Sequence, residues 1–202
     1  MINEQTKNFK KFFSEIQMLK RIKHEGWRMA GVEHPDSVGE HTVIAAQIAY
    51  VLGKLEGADA GKCALIALFH DNDEVRIGDQ HKVAARYFDV KTASRLARGE
   101  QFANLPKEIA AELNHLQDEG KRRDTKEGIV AKDADWLEMA IQAKIYCEAG
   151  HKGAADWIQN VEKALETKGA REILAAIKSD PDFTNLWWRG LKKMTYKKLV
   201  RR

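Results

Sequence analysis

The sequence predicts an all-α fold, and three observations carry that prediction. Apolar residues recur at three- and four-residue steps along most of the chain, the period of a helix with one buried face. No stretch alternates apolar and polar residues for more than a few positions, as a half-buried strand does. No internal repeat and no domain linker divides the pattern. With 202 residues, 44% of them hydrophobic and 32% charged, the chain can bury the core of one ordinary domain. This composition excludes a disordered chain, a collagen-like chain and a disulfide framework.

The elements follow in order. Phe9, Phe12, Phe13, Ile16, Leu19 and Ile22 fall on one helical face and predict a first helix. A loop then runs from His24-Glu25-Gly26-Trp27 to His34-Pro35-Asp36. Ser37-Val38-Gly39-Glu40 reads as a capping box, with a Ser hydroxyl for the free amides and a Glu three residues on. The second helix carries Val38, His41, Ile44, Ala45, Ile48, Leu52 and Leu55. Cys63 to Phe69 is apolar nearly all round, so it predicts a buried central helix, ending at His70-Asp71. Further helices are expected over 82–88, 91–103, 106–117, 126–149, 154–167 and 169–178, with a polar loop from Lys121 to Lys126. Ser179-Asp180-Pro181 is expected to start a last helix, with Pro where its missing amide costs nothing.

Charge is unevenly placed. Arg189, Lys192, Lys193, Lys197, Lys198, Arg201 and Arg202 are basic, and 189–202 has no acidic residue. Apart from those seven, the chain holds 27 basic and 30 acidic residues, so the net charge of +4 belongs to the tail. No apolar run approaches the roughly 18–20 residues of a membrane helix, and the N-terminus lacks the pattern of a signal peptide. Cys63 and Cys147 sit in helical patterns and read as core thiols in a reducing cytoplasm.

His70-Asp71 is the unusual feature. An apolar helix that delivers an imidazole and a carboxylate to the core's edge must give them partners, since an unpaired buried charge is costly. His41, Asp73, Glu74, Asp79, Asp133 and Asp135 are the candidates. Two His and two Asp suit a divalent transition metal with places left for water and substrate. Such an ion acidifies water and polarises a phosphoryl oxygen. Glu74, three residues beyond Asp71, shares its helical face if the helix continues, and is placed to orient a water or carry its proton. Taken singly, each residue has a plainer reading. His70-Asp71 is then a capped helix end, His41 a satisfied histidine, and Asp133 and Asp135 a solvated face.

Taken in order, these residues resemble the HD-domain metal-dependent phosphohydrolases, and most closely their 5'-deoxynucleotidase-like branch. The matching text is Leu19-Lys20-Arg21-Ile22, Gly26-Trp27, Ser37-Val38-Gly39-Glu40-His41, Leu68-Phe69-His70-Asp71-Asn72-Asp73-Glu74-Val75, Gly78-Asp79 and Val130-Ala131-Lys132-Asp133-Ala134-Asp135. The resemblance implies an HD core over about 10–150 with a C-terminal helical extension over 151–202. It implies one divalent ion, such as Co2+ or Mn2+, on His41, His70, Asp71 and Asp135. It further implies that Glu74 helps to activate water, that Asp79 contacts the sugar 3'-hydroxyl and assists catalysis, and that Trp27 closes the sugar pocket. The implied reaction is hydrolysis of a deoxynucleoside 5'-monophosphate, and the implied assembly is a homodimer. This chain has Gly26 where well-studied bacterial members have Arg, so another cation must hold the phosphate. Lys82 and Arg86 are candidates, and so are Arg21, Lys23 and Arg28.

Three other readings are carried forward. Another phosphoester is the first. A two-metal HD enzyme is the second, and it needs two further histidines, for which His81 and His115 are available. Nucleic-acid binding by the basic tail with Trp187, Trp188 and Tyr196 is the third. The acidic body disfavours it, and a terminal helix docked through its tryptophans accounts for the same residues.

Overall fold

The computed structural model describes residues 4–103 and 105–191. They form eight helices of ten or more residues, with short turns between them. These are α1 (Glu4–Ile16), α2 (Val38–Glu56), α3 (Ala60–Phe69), α4 (Val90–Phe102), α5 (Lys107–Arg122), α6 (Lys126–Glu148), α7 (Ala155–Ala164) and α8 (Lys168–Ser179). The fold is all-α. Among the described residues the only extended pairing is one antiparallel bridge, Lys23 to Ser37. No helix among them is long and apolar enough to cross a membrane.

Helix starts are set by side-chain caps. Ser37 Oγ accepts the Glu40 amide at 3.2 Å, and Glu40 Oε2 accepts the Ser37 amide at 2.6 Å, which completes the capping box. Asp59, Asp89, Thr125 and Thr167 cap α3, α4, α6 and α8 in the same way. The long α6 lies centrally, packed against α2, α3, α5, α7 and α8. It begins close to α5: a Cβ on Gly128 would lie 2.7 Å from the Glu119 carbonyl oxygen, so only glycine fits there. The main core holds Ala45, Leu52, Cys63, Ile66, Leu116, Val130, Leu137, Leu165 and Leu174. Cys63 and Cys147 are free thiols.

Four sequence expectations need correction. The first helix stops at Ile16 and tightens into a 3-10 turn, Gln17–Lys20. Here the chain bends to meet α2, with the Val38 amide donating to the Ile22 carbonyl at 2.9 Å. The segment 82–88 is not a helix but holds only the 3-10 turn Ala84–Arg86. The polar loop from Lys121 is shorter than expected, because α5 runs on to Arg122. Its polar residues are buried with partners: Gln117 donates to the Phe69 carbonyl at 2.7 Å, and Glu119 meets Lys62 at 2.8 Å and Thr125 at 2.6 Å. Finally, Pro181 starts no helix within the described residues, where only the 3-10 turn Phe183–Asn185 follows α8. Glu148 holds that turn by accepting the Phe183 and Thr184 amides at 3.0 and 2.9 Å. Trp187 is 78% exposed and does not dock on the body of its own chain, and Arg189 pairs with Asp180 and Asp182. The rest of the basic tail, with Tyr196, lies outside the described residues.

Candidate metal centre

Three helices bring the ligand candidates together. His41 stands one turn into α2, where the capping box fixes the helix start. His70 and Asp71 follow the end of α3. Asp135 projects from the middle of α6, buried like His41. His41 Nε2 lies 3.1 Å from Asp135 Oδ1, and His70 Nε2 lies 3.5 Å from the same oxygen and 2.9 Å from Asp71 Oδ2. The ligating atoms of His41, His70 and Asp135 all fall within 4.8 Å of one another.

Each imidazole is oriented from behind. His70 Nδ1 donates to the Ala67 carbonyl at 2.7 Å, one turn back along α3. His41 Nδ1 meets the Glu138 carboxylate, one turn beyond Asp135 on α6. Both histidines therefore turn Nε2 to the centre, which is how metal-binding imidazoles are held. Asp135 Oδ2 takes Lys132 Nζ at 2.5 Å, leaving Oδ1 for the centre.

The electrostatics match a cation site. Burial works against charge on His41, but Asp135 and Glu138 outweigh it and push its pKa up to about 10. Burial resists ionisation of Asp71 as well, yet His70 outweighs it and draws that carboxyl down to about 2. Asp135 is likewise held well below the carboxylate range, against burial, by Lys132, His70 and His41. The carboxylates are thus kept ionised, with protons on imidazoles standing where a divalent ion would sit. A set of N and O donors with oriented tautomers and ionised carboxylates fits such an ion.

The other expected site residues are distributed around this cluster. Glu74 opens a short helical turn, Glu74–Ile77, braced by Arg76 to Glu15 at 2.5 Å and to Glu100 at 2.7 Å. Glu74 Oε2 is buried and accepts no hydrogen bond. Burial, then Asp71, Asp79 and Asp73, push its pKa well above the carboxylate range. Asp79 is also raised, by burial against the pull of His24. Its Oδ2 accepts the Glu25 amide at 2.7 Å and so anchors the turn Gly26–Met29.

Trp27 departs from expectation. It is 0% exposed, enclosed by Val32, Ala143 and Ala154 and by the rings of Tyr146 and Trp157. It offers no surface to a sugar and acts here as the apolar anchor of the turn that Asp79 holds. Asp133, two residues from Asp135, points away from the centre, accepting the Glu166 and Thr167 amides and the Thr167 hydroxyl. His81 and His115 join no ligand group among the described residues. His81 accepts the Ala84 amide, and His115 faces Glu119 at 3.3 Å with its side chain 63% exposed.

A cavity of about 320 Å³ opens onto the cluster between α3, α5 and α6. His70, Asp71 and Asp135 line it together with Lys121, Arg123, Lys132 and Trp136. The Arg123 guanidinium and Lys132 ammonium lie 4.9 and 5.3 Å from the Trp136 ring centre. Lys82 and Arg86 are not among the lining residues. Sequence reasoning passed over Lys121, Arg123, Lys132 and Glu138. Lys132 and Glu138 had a usable signal, since they stand three residues either side of Asp135 and share its helical face.

A model of the HD domain matches residues 16–178. The chain belongs to the HD-domain family. The match runs through α7 and α8, which sequence analysis set apart as an extension. This HD-domain protein is 31% identical over 155 residues to a Dictyostelium discoideum protein named 5'-deoxynucleotidase HDDC2, covering 72% of this chain and 80% of that one. It is 29% identical over 146 residues to the Homo sapiens protein of the same name, covering 70% and 69%. Among solved structures, a conserved hypothetical protein from Pyrococcus furiosus superposes with a TM-score of 0.71 at 30% identity, covering 83% of this chain and 98% of that one.

Proposed function

We propose that this HD-domain protein is a metal-dependent phosphomonoesterase that converts deoxynucleoside 5'-monophosphates to deoxynucleoside and phosphate. The carrying observation is the joining of the His41, His70, Asp71 and Asp135 cluster to a cavity lined by three cations. The relatives named 5'-deoxynucleotidase support the substrate class.

A divalent ion on those four residues, Co2+, Mn2+ or similar, supplies positive charge to phosphoryl oxygens and acidifies water. The chain's own groups do the rest. Lys121, Arg123 and Lys132 draw the phosphate dianion into the cavity and offset charge that builds on its oxygens. Glu74 Oε2, free of hydrogen bonds in a buried place, takes or returns the proton of the attacking water. Asp79 serves the sugar 3'-hydroxyl, held in place by the amide of Glu25. Trp27 supports that arrangement from beneath by packing.

The reading extends to assembly and setting. Val43, Ile44, Tyr50, Val51 and Leu55 leave an exposed apolar stripe along α2, with exposures of 45–62%. A homodimer through this stripe accounts for it. Two free thiols suit a reducing cytoplasm.

The test is phosphate release from a panel of deoxy- and ribonucleoside 5'-monophosphates with added Co2+, Mn2+ or Mg2+, beside Asp71→Ala. Release that prefers deoxy substrates and disappears in the variant is the expected result. Release from none of the panel by metal-loaded protein overturns the substrate assignment.

A further inference from the structure

A third histidine faces the centre. His24 is 6% exposed, and the ligand atoms of His24, His41 and Asp71 all lie within 4.8 Å of one another, a second group that shares His41 with the first. The His24 ring centre is 4.6 Å from that of His41, at an angle of 53°. His24 comes from the loop ahead of α2, where its amide donates to the Asp36 carbonyl at 3.1 Å beside the Lys23–Ser37 bridge. The backbone pairing that fixes the start of α2 therefore also fixes His24 against His41.

A carboxylate also stands behind His24, more loosely than the groups behind the other two imidazoles. Its Nδ1 lies 3.4 Å from Asp36 Oδ2, an ion-pair separation without a hydrogen bond, and neither atom has a hydrogen-bond partner among the described residues. Asp36 is itself held by Tyr146, whose hydroxyl donates to Oδ1 at 2.9 Å and accepts the Asp36 amide at 3.1 Å. With Nδ1 toward that carboxylate, Nε2 is the nitrogen left for an ion, and an Nδ1–H tautomer would offer its lone pair as a ligand. Two buried imidazoles 4.6 Å apart, with nitrogens converging, gain little from each other. A shared cation gives the arrangement a purpose.

We infer that His24 is a further ligand to the divalent ion, so that the centre presents three imidazoles and two carboxylates. This inference rests on the metal-site reading above. Five donors exceed the four of a closed tetrahedral zinc site and suit a six-coordinate ion such as Mn2+ or Co2+, whose remaining place would go to water while Lys121, Arg123 and Lys132 hold the phosphate beside it. His24 lies upstream of the His70-Asp71 pair, whereas the two-metal reading looked downstream to His81 and His115.

The experiment is X-ray absorption of the Co2+-loaded protein with Co2+ titration calorimetry, on the unaltered chain, His24→Ala, Asp36→Asn and the exposed control His34→Ala. Unfolding followed by circular dichroism confirms that each variant is folded. Three imidazoles on the ion are expected in the unaltered protein and two in His24→Ala, with affinity lowered about 10- to 100-fold. Asp36→Asn is expected to weaken binding less while keeping three imidazoles, and His34→Ala to change nothing. Two imidazoles in both the unaltered protein and His24→Ala, with equal affinity, overturn the inference and leave the four-residue site standing. Failure of the unaltered protein to bind Co2+ overturns the metal-site reading itself.

Discussion

Asp133 and Asp135 are two residues apart on α6 and indistinguishable by type, yet the structure gives them opposite duties. Asp133 is 0% exposed and anchors the start of α8 by accepting from the Glu166 amide, the Thr167 amide at 2.6 Å and the Thr167 hydroxyl at 2.7 Å. Asp133→Ala removes a charged acceptor and leaves three donors behind. Each such bond contributes about 1–1.5 kcal/mol where water can partly replace it. The expected loss is therefore about 3–4 kcal/mol, which for a chain of this size lowers Tm by about 10 °C. No ligand to the ion is touched, so Co2+ affinity of the folded protein should stay within about threefold. Asp135→Ala removes an oxygen that both His41 and His70 face, and its Co2+ affinity should fall by at least about 100-fold, the upper end for disturbing a ligand's surroundings. Thermal unfolding and calorimetric Co2+ titration of both variants are the assay. Unchanged Tm in Asp133→Ala, or loss of Co2+ binding in it, refutes the division of roles.

Three further outcomes are expected. Lys132→Met removes a cation from the cavity and the partner of Asp135 Oδ2, and should lower kcat/KM at least about tenfold, equivalent to ~1.4 kcal/mol, with both kcat and KM affected; steady-state kinetics on dAMP check this. Val51→Glu places charge on the α2 stripe and should convert a dimer to a monomer in light scattering, while a persisting dimer removes that face from the interface. Glu148 titrates at about 2 instead of 4.5: burial opposes this, and bonds to Thr184, Phe183 and Lys144 prevail. Its contribution to stability is thus full above pH 4.5 and fades as pH falls toward 2, so Glu148→Gln should cost stability at pH 7 and much less at pH 3 by thermal unfolding.

Helix identity was largely legible because most helices bury one apolar face against α6 or its neighbours, and that periodicity is written in the residues. The capping box at Ser37 shares this legibility, since it depends on a short spacing within one element, whereas the metal-ligand candidates, spread over three helices, were legible only through the ordered motifs of the family resemblance. The unreadable parts depend on partners far away in the chain. The last turn of α5 lay beyond the expected helix 106–117 because its residues are mostly polar, and only the fold supplies Lys62 and Thr125 to satisfy Glu119 there. Trp27 was expected to close a sugar pocket from the family resemblance, whereas Tyr146 and Trp157 enclose it from more than 100 residues away. His24 escaped notice for the same reason, its link to His41 passing through a bridge that sequence does not announce. Of the three cavity cations, Lys121 and Lys132 are ordinary helix-face residues and Arg123 caps the end of α5, until α3, α5 and α6 converge.

The central claim is that one divalent ion on the His41 and His70-Asp71 cluster drives phosphate release. The most direct measurement strips the protein with a chelator, adds Mn2+ in steps, and follows bound metal and phosphate release from a deoxynucleoside 5'-monophosphate in the same samples. Activity that rises in proportion to occupancy and saturates at one ion per chain is the predicted result. Activity that persists in stripped protein, or stays absent at full occupancy, contradicts the account.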